Sequence, residues 1–186
     1  MTGEEATVAV IETLSSLGIP YMLVGSLASN YYGIPRSTQD ADFVIQLSGV
    51  SVECIVESLG PQFRLEPQSS FELIQATTRY ILQILNNPFH IELFLLSDDE
   101  YDQERFSRRR SVSFLGRAAF IPTAEDVIIT KLRWSQHGRR IKDRDDARNV
   151  IAIQYDRLDW KYIRRWCSKQ GTLELFEEVV NSFPKK

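Results

Sequence analysis

Apolar positions near the start of the chain recur with a helical period. Val10, Ile11, Leu14 and Leu17 fall on one face, and Gly18 can end the helix before Ile19-Pro20 breaks it. Tyr21 to Val24 is a short apolar run that reads as a buried strand. Gly25-Ser26 then opens a short helix that stops near Gly33. Pro35 disfavours helix at Ile34, so residues 34–39 read as loop. Residues 40–47 form a second strand, closed by the turn Ser48-Gly49, and residues 52–59 fit a helix stopped by Gly60-Pro61. In the ambiguous stretch 62–78, Phe63, Leu65, Phe71 and Leu73 mark short edge strands. Residues 80–85 and 89–96 flank the cluster Asn86-Asn87-Pro88 and read as a hairpin. Residues 98–104 read as an acidic surface segment. A smaller hairpin follows around Leu115-Gly116-Arg117.

From Pro122 onward the pattern is helical throughout. Thr123 is a good N-cap with Asp126 three residues on, and the apolar stripe Val127, Ile128, Leu132 runs to Gly138. Further helices are expected over 143–153, 159–167 and 173–182. The fold class is therefore α+β: a mixed β-sheet flanked by helices, with a helical C-terminal part. The expected division is a core over 1–121 and a helical subdomain over 122–186, packed on that core. The 186 residues suffice for one such compact unit.

Composition narrows the function classes only a little. Hydrophobic content is 43% and charged content 25%, ordinary for a globular protein, and a formal net charge of -3 excludes a global basic field for nucleic acid. Cys54 and Cys167 lie far apart, without metal-type spacing, and read as reduced thiols. The acidic N-terminus lacks a signal-peptide pattern and no apolar run approaches a membrane span. A cytoplasmic, non-membrane protein is the expectation.

The informative feature is Asp40-Ala41-Asp42 at the mouth of an apolar strand. Alternation along a strand points Asp40 and Asp42 the same way. Two carboxylates so placed repel each other, and a divalent cation relieves that repulsion; Mg²⁺ favours carboxylates together with substrate phosphates. Glu92 is a carboxylate inside the apolar run 89–96, where it is costly unless paired or metal-bound. It reads either as the third ligand of a two-ion site or as the partner of an arginine. Gly25-Ser26 provides a tight strand-to-helix turn whose free N–H groups and hydroxyl can hold phosphate, or merely permits the turn and caps the helix. Lys131 lies on the stripe of Val127 and Ile128 and points inward or snorkels. Asp145 and Asp146 fit the enrichment of negative charge in a helix's first turn. Arg108-Arg109-Arg110 is one cationic run; Arg133, Arg139, Arg140, Lys142, Arg144 and Arg148 form a second, with Trp134 and His137 interleaved, which reads either as a surface for stacking on bases or as a solvated helical face balanced by nearby aspartates.

Taken together, Gly25-Ser26, thirteen intervening residues, Asp40-Ala41-Asp42 and the later Glu92 resemble the nucleotidyltransferase superfamily, the DNA-polymerase-β-like fold. Residues 36–40 are similar to the arginine-x-threonine approach of small bacterial abortive-infection-type toxins. Residues 122–132 and 142–147 resemble their lysine-bearing helix and Lys-Asp-x-x-Asp segment. The resemblance implies two Mg²⁺ ions and transfer of a nucleoside monophosphate from an NTP such as ATP to a hydroxyl acceptor, RNA such as tRNA or a protein. It also implies a toxin–antitoxin setting, with an antitoxin as partner. By position, Asp40, Asp42 and Glu92 would hold metal; Glu92 stands where aspartate is commoner. Gly25, Ser26, Arg36 and Thr38 would hold the nucleotide, Lys131 would meet its phosphates or the acceptor, and Asp146 would lie beside Lys131. A degenerate binding or partner protein on the same fold, and an aminoglycoside-modifying enzyme with an acidic sugar cleft, are the competing readings.

Overall fold

The computed structural model describes residues 1–138 and 140–183. Arg139, one of the basic cluster, and residues 184–186 of the C-terminal part lie outside the described residues. The first half runs α1 (Gly3–Ser16), β1 (Tyr21–Leu23), α2 (Gly25–Tyr32), β2 (Asp40–Ile45), α3 (Val52–Leu59), β3 (Phe63–Leu65), β4 (Ser70–Glu72), β5 (Thr77–Ile84) and β6 (Asn87–Leu95). It continues with α4 (Glu100–Ser107), β7 (Arg110–Phe114), β8 (Arg117–Ile121), α5 (Ala124–Gly138), α6 (Ile141–Gln154), α7 (Trp160–Lys169) and α8 (Leu173–Asn181). Among the described residues, no helix is long and apolar enough to cross a membrane.

The sheet is mixed, in the order β1-β2-β6-β5-β3, with β4 pairing on β5. β1 pairs antiparallel with β2, β2 parallel with β6, and β6 antiparallel with β5. The parallel pair brings together segments about fifty residues apart in sequence, with α3 and the β3–β5 strands in the crossover. Alternation sorts the two central strands cleanly. Ala41, Phe43 and Ile45 of β2, with Ile91 and Leu93 of β6, join Val10, Ile11 and Leu14 of α1 and Ile55 of α3 in the main core. The other face carries Asp40, Asp42, His90 and Glu92 at one end. At the other end Val44 and Phe94 pack with Met22, Val24 and Phe106 of α4.

A second apolar cluster joins α5–α8 through Val127, Ile128, Leu132, Val150, Ile163, Trp166 and Phe176, and takes in Ala28 of α2 and Tyr101 of α4. Helix α5 starts as its sequence predicts: the Asp126 N–H donates to Thr123 Oγ1 at 3.3 Å, and the hydroxyl donates to the Asp126 carboxylate at 2.8 Å. The two clusters are bridged by polar ties as well: the Tyr32 hydroxyl donates to the Pro122 carbonyl and the Gln154 amide to the Tyr32 carbonyl, both at 2.9 Å.

Two sequence expectations need correction. The hairpin turn falls at Leu85-Asn86, where Asn86 adopts the left-handed backbone region, and not over Asn86-Asn87-Pro88. Pro88 sits near the start of β6, before the strand pairs with β2 at His90, so its missing N–H costs nothing there. Residues 98–104 are not simply an acidic surface segment. They open α4, capped by Asp99, and the helix turns Tyr101, Asp102, Arg105 and Phe106 inward. Arg105 Nε donates to Asp102 Oδ1 at 2.7 Å, and the Ser97 hydroxyl donates to Asp102 Oδ2 at 2.6 Å. Both charged residues are almost wholly buried. Asp102→Ala leaves the Arg105 charge buried without its partner, so a loss of about 3–5 kcal/mol is expected by urea denaturation. A loss below 1 kcal/mol would show the pair to be solvated.

Candidate active site

A cleft of about 890 Å³ lies between the polar end of the sheet and the helices α2, α5 and α6. Its floor is set by the β2–β6 register, which places Asp42 directly beside Glu92 and Asp40 beside His90. Asp40, Asp42, Glu92, Gly25, Ser26, Arg36, Thr38 and Lys131 all line this cleft. Asp146 stands just behind it, bound to Arg36 and Lys131.

Gly25 meets two demands. Its φ is +61°, and a Cβ built there would overlap Oδ2 of Asp42. The turn from β1 into α2 therefore runs directly against the β2 carboxylate, an approach that only glycine permits. The Val24 N–H donates to the Asp42 carbonyl at 2.8 Å, which holds this turn in register.

Arg36 and Lys131 are matched by carboxylates. Arg36 Nε and Nη2 make a bidentate pair with the two oxygens of Asp146, each at 2.8 Å, and Nη2 also donates to Ser26 Oγ at 3.0 Å. Lys131 is buried, with Nζ 2.7 Å from Asp143 Oδ1 and 2.8 Å from Asp146 Oδ2. It neither snorkels nor lies in solvent, and Asp146 is a buried partner of it and not a solvated first-turn charge. Burial pushes the Asp146 carboxyl up, but Arg36 and Lys131 outweigh it and hold the pKa below the ordinary value. Asp143 Oδ2 is buried without a hydrogen-bond partner.

Asp40 and Asp42 are the exceptions. Among the described residues neither forms an ion pair; Asp40 accepts only from the Thr38 hydroxyl. The Asp42 carboxylate opens on the cleft yet is closely ringed by protein atoms. Burial, and after it the nearby charges of Asp40 and Glu92, push its pKa up to about 7, against the pull of Lys131 and Arg140. Glu92 is differently placed. Arg79 Nη1 lies 3.3 Å from both of its oxygens, and His90 Nε2 3.4 Å from one. Among the described residues, no three His, Cys, Asp or Glu side chains form a ready-made metal-ligand set. The free pair Asp40–Asp42 fits a divalent cation: oxygen donors, excess negative charge and an open side.

Several lining residues escaped the sequence reading. Arg79 and Gln75 come from β5 and the turn before it, and Arg105 from α4. Arg79 was accessible in principle, since it shares a face with Ile81 and Gln83 along β5, but only with the hairpin register correct. The basic clusters divide. Arg140 stacks on Trp134, 4.7 Å from the ring centroid, and both line the cleft with Lys142. His137 faces elsewhere, beside Arg133 and Lys169. Arg108 is taken up by Asp126 and the Tyr162 ring, and Arg109 by Phe106, so of that run only Arg110 is exposed.

Two expectations follow from this geometry. Gly18 has a similar positive φ in open space, so Gly18→Ala carries only the backbone cost of about 1–2 kcal/mol. Gly25→Ala is expected to exceed it in thermal and urea unfolding; equal losses would contradict the Asp42 overlap. Asp42 gives a pH signature. Its folded pKa is raised, so the folded chain keeps a proton that the unfolded chain releases. The penalty is absent below about pH 4, grows as the unfolded state ionises, and is complete above about 7. Without divalent cation, Asp42→Asn is expected to be more stable than wild type at pH 8, by on the order of 2–4 kcal/mol, with the gap closed at pH 4. A gap independent of pH would contradict the assignment.

No known family model matches the chain, and no characterised protein matches it in sequence. Solved structures do. Over 92% of this chain and 98% of the other, it superposes on ANT(2")-Ia in complex with adenylyl-2"-tobramycin, with TM-score 0.61 and 14% identity. The solution structure of the antibiotic-resistance factor ANT(2'')-Ia gives 0.60 at 12% identity, covering 97% of each chain. An antigenic nucleotidyltransferase-like protein from Paracoccidioides brasiliensis gives 0.52 at 17% identity, over 93% and 90%. At these identities the likeness is one of architecture: this chain has the nucleotidyltransferase fold.

Proposed function

We propose that the protein is a nucleotidyltransferase that moves a nucleoside monophosphate from an NTP to a hydroxyl acceptor. The observation that carries this reading is the pair Asp40–Asp42, two carboxylates without an ion-pair partner among the described residues, on the floor of a cleft whose other carboxylates, Glu92, Asp126 and Asp143, are each ion-paired. The shared fold supports it. Asp40 and Asp42 are the residues that would hold a divalent cation, and Mg²⁺, when bound, would neutralise the phosphates at which the bond exchange occurs. Glu92 is the third carboxylate, beside Asp42.

The chain's own groups position the reactants. The Gly25-Ser26 turn presents backbone N–H groups at the start of α2, suited to triphosphate oxygens. Arg36, locked by Asp146, holds Ser26 and the loop that leads to Thr38 and Asp40. Lys131 lies between Asp143 and Asp146 within the cleft and can exchange one carboxylate for a phosphate. Trp134, with Arg140 stacked on it, offers a face for a base. Such a reaction asks the protein for placement and charge balance more than for covalent chemistry. The acceptor class is a hydroxyl on RNA such as tRNA, or on a protein. An aminoglycoside hydroxyl is a second reading, favoured by the adenylyl-tobramycin bound in the structural neighbour.

The test is label transfer from each of the four α-³²P-labelled NTPs with Mg²⁺, to tRNA, to lysate protein and to tobramycin. Wild type is expected to label one acceptor class. Asp40→Ala and Asp42→Ala are each expected to lower the rate by about 10³-fold or more while remaining folded. Transfer retained by either variant, or no label from wild type on any acceptor together with no NTP binding by calorimetry, contradicts the proposal.

A further inference from the structure

Arg79 sets a guanidinium against Glu92, the third carboxylate of the cleft. It lies on β5 with Phe94 of β6 as its register partner, and Ile81 is the partner of Glu92. Opposed residues of antiparallel strands share a face, so Arg79 is the diagonal neighbour of Glu92 on the cleft side, within reach of a long side chain. Its Nη1 spans both Glu92 oxygens at 3.3 Å. The guanidinium is itself held: Nε donates at 3.0 Å to Ser70 Oγ, and Ser70 is the register partner of Arg79 on β4. The outer strand β4 thus fastens a positive charge onto the third carboxylate. Asp40 and Asp42, on the adjacent strand of the same face, have no such counter-ion among the described residues.

We infer that Arg79 stands in for one of two cations, so that this cleft binds a single divalent ion, on Asp40 and Asp42, with Glu92 neutralised from within the chain. A second ion bridging to Glu92 would have to displace the guanidinium or lie against it, and like charges at contact distance oppose both outcomes. Glutamate at this position is consistent with the arrangement. Its extra methylene carries the carboxylate further from the strand than aspartate would, out toward Arg79. In this role Arg79 is a positioning residue for Glu92 and a fixed charge in the site, and it sets the ion count. The inference rests on the reading of Asp40 and Asp42 as cation ligands, and its test separates the two.

The test counts Mn²⁺ bound per folded chain by electron paramagnetic resonance, using Mn²⁺ alone as the probe. Wild type is expected to bind one ion. Arg79→Gln and Arg79→Met are expected to bind two, and Ser70→Ala to weaken the exclusion of the second ion without abolishing it. Asp42→Asn should lose binding in either background. Thermal melts confirm that each variant is folded, and the two Arg79 variants guard against one of them failing to fold. Two ions on wild type would overturn the role of Arg79 and leave the cation site standing. One ion on wild type and on both Arg79 variants would do the same. No Asp42-dependent Mn²⁺ on any variant would overturn the inference and the cation reading together.

Discussion

The parallel pairing of β2 with β6 is the constraint on which the rest of the molecule depends. Side chains alternate with a period of two, so one register decides both the core and the cleft. With Asp42 opposite Glu92, the residues Ala41, Phe43 and Ile45 face α1 and α3, while the acidic side chains face the helices of the C-terminal half. A slip of one residue on β2 would bury Asp40 and Asp42 among Val10, Leu14 and Ile55 and expose Phe43 to the cleft. The cost of burying two carboxylates in an apolar core is large enough to select the observed register without help from the loops. The same register lets the β1–α2 turn approach Asp42 so closely that only Gly25 fits.

Charge is distributed around that floor with a clear asymmetry. Lys131, Arg36 and Arg105 are each met by a carboxylate at hydrogen-bond distance; the first two pairs fasten α5, α6 and the 36–39 loop to one another, and the third closes within α4. Such pairs are specific because breaking one leaves a buried charge unpaired. Glu92 is drawn into the same scheme by Arg79. What remains is Asp40 and Asp42; burial, and after it the neighbouring charges of Asp40 and Glu92, raise the pKa of Asp42. Folding tolerates the cost of that shift because the main core and the α5–α8 cluster supply ample apolar burial elsewhere.

Much of this was legible in the residues. Asp-x-Asp at a strand mouth, after a Gly-Ser turn, identified the floor of the cleft, because strand alternation needs no tertiary information. The capping pattern of Thr123 and the helical stripe through Lys131 located α5, while the stripe left its lysine open between pointing inward and snorkelling. Three things were not legible. The hairpin turn was placed over Asn86-Asn87-Pro88, since those residues have strong turn chemistry; the actual turn at Leu85-Asn86 changes which β5 residue faces Glu92, and so Arg79 was missed. The acidic composition of 98–104 masked the inward face of α4, where Asp102 is paid for by Arg105 at a spacing of three. Pairings such as Arg36 with Asp146 join residues more than a hundred positions apart, and no local pattern encodes them.

The most direct test of the central claim is a crystal of the protein soaked with Mn²⁺ and a non-hydrolysable NTP, with the ion placed by its anomalous signal. The account requires a peak about 2 Å from carboxylate oxygens of both Asp40 and Asp42, with triphosphate oxygens completing its shell. An ion bound elsewhere while these two carboxylates remain bare, or a nucleotide seated outside the cleft, would contradict it.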